Sequence, residues 1–286
     1  EPLFRSRVII VREKCDNPSN FRCGETLDKY LKDNNIPGIY DVDTREITKI
    51  IRESGVMNAM ICSDPRNFDK EKVETYRVSG AVEAVTAKTP LPVACENPKY
   101  NVVLLDYGKK ENIVRELVKR GCNVAVVPSG TKADDVLKLN PDGIMLSNGP
   151  GDPSDNADCI NELKKLIGKK PIFGICLGHQ LLALAMGAKT TKLKYGHRGV
   201  NQPVKCIETG RTYISSQNHG YAVLNDEIEK CGGIISYINA NDGTNEGVDY
   251  PNKNAFSVQF HPEACSGPHD TRFLFNKFIK MMGGNE

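Results

Sequence analysis

No apolar run in this 286-residue sequence approaches the ~20 residues that a membrane-spanning helix needs, and internal repeats and low-complexity segments are also absent. Neither basic nor acidic residues are in clear excess. The 38 basic and 36 acidic residues leave a net charge of +2, too small to favour nucleic acid or a membrane as a partner. The chain begins with Glu1 and shows no signal-peptide pattern, so we expect a cytoplasmic protein whose natural start lies upstream.

Paired cysteines are absent as well. None of the ten cysteines forms a Cys-x-x-Cys pair, and none of the five histidines has the spacing of a structural zinc site. Single cysteines scattered through a chain of this length indicate reduced thiols in a cytosolic protein. We therefore expect no disulfide framework and no metal site, and we interpret most of the cysteines as small buried hydrophobic residues.

Strands and helices alternate through the second half of the sequence, an arrangement typical of a parallel, doubly wound sheet. The predicted strands are 101–106, 123–127, 143–147 and 171–175. The predicted helices are 109–120, 132–138, 154–167 and 178–186. Short strands follow at 204–207, 212–215, 234–239 and 255–260, and a last helix is predicted over 268–281.

The first part of the chain has a different pattern. A helix is predicted over 25–33, and a turn at 35–38 connects it to residues 39–42. Thr44, followed by acidic and apolar residues, predicts a capped helix that runs to Glu53.

Three prolines within residues 90–98 are typical of an interdomain linker. We therefore expect an α/β protein of two domains. A smaller, partial N-terminal domain with its linker would occupy 1–97, and a doubly wound, mostly parallel sheet with an elbow nucleophile would occupy 98–286.

One cysteine, Cys176, lies where a buried strand passes into a helix. Gly174 and Gly178 flank it two residues away on each side, which is typical of a nucleophile elbow whose turn is too tight for side chains there. The helix N-terminus favours the nucleophilic thiolate, and the backbone N–H of Leu177 would point toward a developing oxyanion. The alternative is a structural cysteine in a glycine-rich turn.

A base for that thiol is available in the segment Phe260-His-Pro-Glu263, directly after an apolar strand. A cysteine nucleophile needs a base that takes and returns a proton, and the base needs a partner that fixes its tautomer. Residues i and i+2 of an extended segment share a side, so Glu263 can reach His261. Alone, this segment would be interpreted as a surface loop; with the elbow, it predicts a catalytic triad.

The segment Ser147-Asn-Gly-Pro-Gly-Asp-Pro153 follows the third strand of the parallel series. The carboxyl ends of parallel strands share one edge of the sheet, where sites collect. N–H groups of this loop can complete an oxyanion hole with Leu177. A phosphate loop or a simple turn is the alternative, although the lysine of a P-loop is missing.

The other histidines are weaker candidates for catalysis. We expect His179 to pack inside the protein, His197 and His219 to organise the backbone through hydrogen bonds, and His269 to be exposed at the last helix.

The elbow, the glycine loop and the His-Pro-Glu segment occur in the order typical of the class I (triad) glutamine amidotransferases, and residues 99–280 resemble that family. The resemblance implies that Cys176 attacks the carboxamide of glutamine, that His261 is general base and acid, and that Glu263 orients it. A glutamyl thioester then forms and ammonia leaves. Oxyanion-hole N–H groups are implied at Gly149 and Leu177. The implied glutamine-binding positions are Gly149, Gly151, Leu177, Gln180, Asn218, Gly220 and Tyr221.

The rest of the chain is similar to the small subunits of carbamoyl phosphate synthetase. The segments that carry this similarity are 38–48, 52–55, 196–203, 216–220 and 266–268. Triad amidotransferases that serve GMP, CTP or anthranilate synthesis lack the first domain. Two positions depart from the family pattern, because Tyr221 stands where Phe is frequent and Arg198 where a second histidine is frequent.

The resemblance implies a large synthetase subunit as partner, docked on residues 1–97 by family analogy. That subunit would bind ATP and Mg²⁺ and use the ammonia, with bicarbonate, to make carbamoyl phosphate for arginine and pyrimidine biosynthesis. No cofactor is expected in this chain. Family members also begin earlier, and the earlier segment supplies a serine near the glutamine pocket.

Two other interpretations stay open. The first is another triad amidotransferase or a cysteine hydrolase, such as a peptidase, on the same elbow; Gln180 and residues 218–221 argue against a peptidase. The second is a binding or regulatory module without activity, against which the intact set of Cys176, His261 and Glu263 argues.

Overall fold

The computed structural model describes residues 8–64, 66–265, 267 and 269–283. Two of the residues in the family-like segments, Ser266 and Pro268, lie outside this set. The chain divides into two compact units, residues 1–75 (unit 1) and 76–286 (unit 2). The domain boundary at residue 97 stays a prediction. No helix in the described part of the chain is both long and apolar enough to cross a membrane.

Unit 1 is built from short elements. They are the parallel strands β1 (Ile9–Ile10) and β2 (Gly38–Ile39) and the helices α1 (Leu27–Asp33), α2 (Thr44–Ser54) and α3 (Lys70–Thr75). Asp43, and not Thr44, caps α2, because its side chain accepts a hydrogen bond from the backbone N–H of Glu46. Among the described residues of this unit, Gly55 alone is buried.

Unit 2 is built on a ten-stranded sheet. Its strands are β3 (Leu91–Val93), β4 (Tyr100–Asp106), β5 (Cys122–Pro128), β6 (Gly143–Leu146), β7 (Ile172–Ile175), β8 (Thr190–Cys206), β9 (Thr212–Val223), β10 (Ile234–Asn239), β11 (Asn245–Tyr250) and β12 (Ala255–Val258). Their order is β3-β5-β4-β6-β7-β12-β11-β10-β8-β9. The strands from β5 to β12 in this order are parallel, and every other pairing is antiparallel.

Helices cover both faces of the parallel strands. They are α4 (Ala81–Val85), α5 (Glu111–Val118), α6 (Ala133–Lys138), α7 (Ala157–Leu166), α8 (Leu177–Met186), α9 (Asn225–Ile228) and α10 (Phe273–Met281). Along β4, Val103 and Leu105 join the apolar cluster of α6, α7 and α8. Val102 and Leu104 join the cluster of α5 and α10. Alternate residues of a strand point to opposite faces, so the doubly wound α/β fold is confirmed.

The four predicted strands of the parallel series all form, within two residues of the predicted ends. Differences lie elsewhere. β8 and β9 form a hairpin of 17- and 12-residue strands, longer than the strands predicted. β11 was not predicted. Within the proline-rich segment, Leu91–Val93 pairs with β5 at the edge of the sheet. α7 begins after a 3₁₀ turn at Pro153–Asp155, and the Asn156 side chain makes no cap hydrogen bond.

Candidate active site

Cys176 lies between β7 and α8 in a strained backbone conformation. Its φ is 53° and its ψ is −105°, a region that costs a non-glycine residue about 1–3 kcal/mol. The backbone N–H of Cys176 donates to the carbonyl oxygen of Val258 in the neighbouring strand β12, at 2.9 Å. The residue is 5% exposed. Strain that the surrounding sheet imposes at a nucleophile is typical of an elbow.

The two flanking glycines are required by close backbone contacts. A Cβ on Gly174 would lie 2.8 Å from the carbonyl oxygen of Gly178. A Cβ on Gly178 would lie 2.5 Å from the carbonyl oxygen of Leu146 in β6. Both distances are shorter than any normal carbon–oxygen contact, so the turn excludes side chains at these positions.

The structure brings Cys176, His261 and Glu263 together. The Cys176 thiol lies close enough to the His261 imidazole for its charge to act on the ring, and Nδ1 of His261 lies 2.7 Å from Oε1 of Glu263. Burial lowers the pKa of His261, but the charges of Glu263 and of a Cys176 thiolate outweigh burial and raise this pKa to about 9. Burial raises the pKa of the Glu263 carboxyl, and the opposing charges of His261 and Lys110 lower it below its usual value.

Lys110 is a member of this site that the sequence did not reveal. Its Nζ lies 3.5 Å from Nδ1 of His261 and 3.8 Å from Oε1 of Glu263. Its backbone N–H donates to Oδ1 of Asn148 at 3.0 Å. The available signal was its place just after β4, because the carboxyl end of that strand shares an edge with the elbow.

The glycine loop after β6 is interlocked with the loop after β4. Oγ of Ser147 accepts a hydrogen bond from the backbone N–H of Tyr107 at 2.9 Å and donates to the carbonyl oxygen of Asn148. A Cβ on Gly149 would lie 2.3 Å from the carbonyl oxygen of Tyr107 and 2.7 Å from Cδ2 of Leu177. Gly149 and Leu177, the two predicted oxyanion-hole residues, are therefore neighbours beside Cys176.

The predicted glutamine-binding residues fall into two groups. Gln180 is buried, and its Nε2 donates to the carbonyl oxygen of Tyr221 at 2.9 Å and to Oε1 of Gln259 at 2.8 Å. Burial, followed by the nearby Asp152 carboxylate, raises the pKa of the Tyr221 hydroxyl to about 12. Gln259 and Asp152 were not predicted.

The other predicted positions are more open. Asn218 is exposed on β9, and Gly220 is half-buried two residues further along that strand. Asn218 pairs with Arg198 of β8. Gly151 has φ of +92°, a left-handed conformation that favours glycine in the loop after β6.

The remaining histidines differ in environment. His179 is fully buried, its Nδ1 lies 2.9 Å from Oγ of Ser257, and burial lowers its pKa to about 3, as a packing residue requires. His219 contacts the backbone carbonyl of Tyr221, as predicted, whereas His197 contacts side-chain carboxylates instead of backbone. His269 is exposed.

Comparisons with known proteins match most of the chain. Residues 103–281 match the family model described as "Glutamine amidotransferase class-I", and residues 4–61 match "Carbamoyl-phosphate synthase small chain, CPSase domain". The chain is 49% identical to the carbamoyl phosphate synthase small chain of Clostridium perfringens, over 96% of this chain and 78% of the relative. The corresponding protein of Fusobacterium nucleatum is 50% identical, over 97% and 78%.

A solved structure shows the same fold. It is that of a putative GMP synthase protein from Thermoplasma acidophilum, which is 23% identical. It superposes with a TM-score of 0.56 over 64% of this chain and 94% of that one.

Proposed function

Because the chain belongs to the carbamoyl phosphate synthase small chain family and to the class I glutamine amidotransferases, we propose that it hydrolyses glutamine to glutamate and ammonia. The observation that supports this most is the strained strand-to-helix elbow at Cys176 beside a buried His261 whose Nδ1 is held by Glu263. The ammonia serves a large synthetase subunit that makes carbamoyl phosphate from bicarbonate and ATP, for arginine and pyrimidine biosynthesis.

The first half of the reaction forms a thioester. The Glu263 carboxylate accepts a hydrogen bond from the N–H at Nδ1 of His261, which leaves Nε2 to take the thiol proton of Cys176. The thiolate sulfur attacks the side-chain carbonyl carbon of glutamine. Backbone N–H groups of Leu177 and Gly149 stabilise the oxyanion, a contribution of roughly 3–4 kcal/mol for each donor in comparable sites.

The second half releases both products. The carbon–nitrogen bond breaks as the His261 imidazolium gives its proton to the leaving nitrogen, and ammonia departs from the glutamyl thioester. His261 then takes a proton from water, which attacks the thioester carbonyl. Glutamate leaves, and the proton returns to the sulfur of Cys176.

Binding of glutamine involves the glycine loop and β9. Gly149 and Gly151 lie on one side of the elbow, and Asn218, Gly220 and Tyr221 are on the strand whose backbone bonds to Gln180. The set of glutamine-binding residues therefore consists of Gly149, Gly151, Leu177, Gln180, Asn218, Gly220 and Tyr221.

Unit 1 is the proposed docking surface for the large subunit. Apolar side chains are exposed along α2 and the segment after it. They include Ile47, Ile50, Val56, Met57 and Ile61, each more than a third exposed. Exposed apolar patches of this kind mark protein interfaces.

Replacement of Cys176 by alanine tests the proposal. In the complex with the large subunit, Cys176→Ala is expected to lower glutamine-dependent carbamoyl phosphate synthesis by more than about a thousandfold, because the nucleophile is lost. Synthesis from added ammonia is expected to continue, because that route bypasses the thiol. The matched control is Cys159→Ala, a buried cysteine in the cluster on the other face of the sheet, which should retain both activities.

Three outcomes would contradict the proposal. The first is loss of both activities in a folded Cys176→Ala complex, and the second is unchanged use of glutamine by that complex. The third is hydrolysis of peptides by the wild-type chain without glutaminase activity, which would favour a cysteine peptidase.

A further inference from the structure

A second cluster of polar side chains lies outside the Cys176 site, where β8, β9 and β11 come together. It consists of His197, His219 and Glu246, one from each strand. One nitrogen or oxygen of each side chain lies within 4.8 Å of the corresponding atoms of the other two. None of its members contacts the Cys176 triad through any hydrogen bond found among the described residues.

The outer nitrogen of each imidazole is already engaged. Nε2 of His197 lies 2.8 Å from Oδ2 of Asp242, and Nδ1 of His219 lies 2.8 Å from the carbonyl oxygen of Tyr221. Both partners accept hydrogen bonds and cannot donate, so they place the ring protons on these outer nitrogens. Metal-binding histidines usually have this arrangement, in which a carboxylate or a carbonyl oxygen orients the ring.

The inner nitrogens both face one carboxylate. Nδ1 of His197 lies 3.3 Å and Nε2 of His219 lies 3.8 Å from Oε1 of Glu246. With the ring protons on the outer nitrogens, two lone pairs and a negative oxygen converge with no ring hydrogen between them. Such an arrangement is repulsive unless a metal ion or an extra proton lies among the three atoms.

The environment of Glu246 is a second, independent indication that a positive ion belongs at this cluster. The residue is fully buried, and its Oε2 has no hydrogen-bond partner in the described part of the chain. Nδ2 of Asn239 lies 3.4 Å from Oε1 of Glu246 and 3.4 Å from Nδ1 of His197, and both contacts are long. A buried carboxylate with an unsatisfied oxygen is costly, and a metal ion compensates both its charge and its lone pairs.

We propose that His197, His219 and Glu246 bind one divalent transition-metal ion, Zn²⁺ above all. Two imidazoles and one carboxylate suit Zn²⁺, whereas Mg²⁺ and Ca²⁺ prefer oxygen ligands throughout. Oε1 of Gln217, 3.3 Å from Nε2 of His219, is placed to approach the fourth position. The ion would tie three strands together.

Such an ion would brace β9 beside the active site. The carbonyl oxygen of Tyr221, which orients His219, also accepts a hydrogen bond from Gln180. The proposed site is therefore structural, and binding of the ion does not depend on the chain being an amidotransferase.

Metal binding by the whole chain tests the proposal directly. The metal-free protein is titrated with Zn²⁺ in a competition assay and with Co²⁺ by absorption spectroscopy. We expect one tight equivalent, with a tetrahedral Co²⁺ spectrum that lacks the thiolate-to-metal charge-transfer band that binding to a cysteine would give. At Zn²⁺ a hundredfold above its dissociation constant, the melting temperature should rise by roughly 5–10 °C.

Variants separate this site from other ligands. Glu246→Gln keeps the side-chain shape and should weaken Zn²⁺ binding by more than about a hundredfold, and His197→Gln should do the same. Asp242→Asn removes the carboxylate that orients the His197 ring, and it should weaken Zn²⁺ binding by about 10- to 100-fold. His269→Asn, an exposed histidine outside the cluster, should bind as the wild type does.

The Asp242 side chain is half-exposed, so its variant is expected to fold even if a buried substitution does not. Absence of a tight equivalent in the wild type would overturn the proposal and indicate that a proton holds the cluster together. Zn²⁺ affinity that is unchanged in a folded Asp242→Asn or Glu246→Gln variant, or a thiolate band in the Co²⁺ spectrum, would overturn it as well.

Discussion

The charge on Glu263 sets the protonation of the candidate base. Burial lowers the pKa of His261, but the charges of Glu263 and of a Cys176 thiolate together raise it to about 9, so the imidazolium that must protonate the leaving ammonia persists up to about pH 9. Above that pH the imidazolium is lost. Glutamine hydrolysis should therefore decline on the alkaline side as His261 loses its proton.

Glu263→Gln should move this alkaline decline to lower pH. Glutamine preserves the shape but removes the charge, so burial is then opposed by the Cys176 thiolate without Glu263, and the pKa of His261 should fall. We also expect kcat to fall by about a hundredfold or more, because the ring loses the partner that fixes its tautomer. The measurement is the pH profile of kcat/KM for glutamine. Glu162→Gln, a carboxylate remote from the elbow, is the control, and an alkaline limb that stays in place in Glu263→Gln would contradict the assignment.

Gly178 tests the geometry of the elbow. In Gly178→Ala the added Cβ would meet the backbone oxygen of Leu146 at 2.5 Å, and a sheet strand cannot easily move away. We expect a loss of about 1–3 kcal/mol in the free energy of unfolding, together with reduced kcat/KM. Gly130→Ala is the control, because a Cβ there meets no atom within 4 Å. Equal stability of the two variants in denaturant melts would show that the elbow tolerates a side chain.

The local motifs made Cys176, His261 and Glu263 predictable as candidates, since each lies in a short segment with its own chemical logic. Lys110 was not predictable in the same way. It contacts the site from the loop after β4, and only the pairing of β4, β6 and β7 brings that loop to the same edge of the sheet as the elbow. Asp152 lies in the predicted glycine loop, but its closeness to Tyr221 of β9 depends on the fold.

Among the elements, the parallel strands were predictable because they are continuous apolar runs buried on both faces. β11 was missed for the opposite reason. Its sequence Asn-Glu-Gly-Val-Asp-Tyr has neither an apolar run nor clean alternation, yet Asn245 and Glu246 are fully buried in it. β3 was not predicted because Pro92 is untypical of a strand. An edge strand tolerates proline, because such a strand has no neighbour on one side.

Glu162 couples two helices at the surface of unit 2. Its Oε2 accepts a hydrogen bond from the backbone N–H of Ala133 at the start of α6, and its carboxylate pairs with Lys165 and Lys132. The hydrogen bond from Ala133, followed by these lysines, lowers the pKa of Glu162 to about 2. A lowered carboxyl pKa stabilises the fold above the unfolded value of 4.5, and the contribution disappears as pH falls toward 2.

Glu162→Gln should therefore lower the melting temperature at neutral pH, because the charge-assisted contacts between α6 and α7 are lost. The difference from the wild type should be constant from about pH 7 to 5 and shrink below pH 4.5 as the wild-type carboxyl gains a proton. Thermal melts across this range are the measurement. Glu208→Gln, an exposed position in the turn between β8 and β9, is the control. A difference that persists unchanged near pH 3 would contradict the assigned contacts.

On the scale of the whole molecule, the two units differ in how much they bury. Unit 2 has two apolar clusters, one on each face of its parallel strands. Unit 1, among its described residues, buries Gly55 and no apolar side chain, and its helices of 7, 11 and 6 residues are too short to be stable by propensity alone. Burial of apolar surface is the main source of stability, so the two units should differ in local stability.

Hydrogen exchange should reveal this difference in local stability, and it should also show whether binding of the large subunit removes the difference. In the isolated chain, the amides of α1 and α2 are expected to exchange by local opening, at rates at least about a hundredfold faster than those of β4 and β7, which open only on global unfolding. If unit 1 docks on the large subunit, its exposed apolar residues become buried, and adding that subunit should slow exchange in α2 while leaving β4 unchanged. The control is Ile50→Asp, in which a charge on the exposed face of α2 should weaken the added protection without altering exchange in β4. If α2 is already as protected as β4 in the isolated chain, unit 1 is stabilised by something other than burial. If exchange in α2 is unchanged within the assembled complex, the docking surface lies elsewhere.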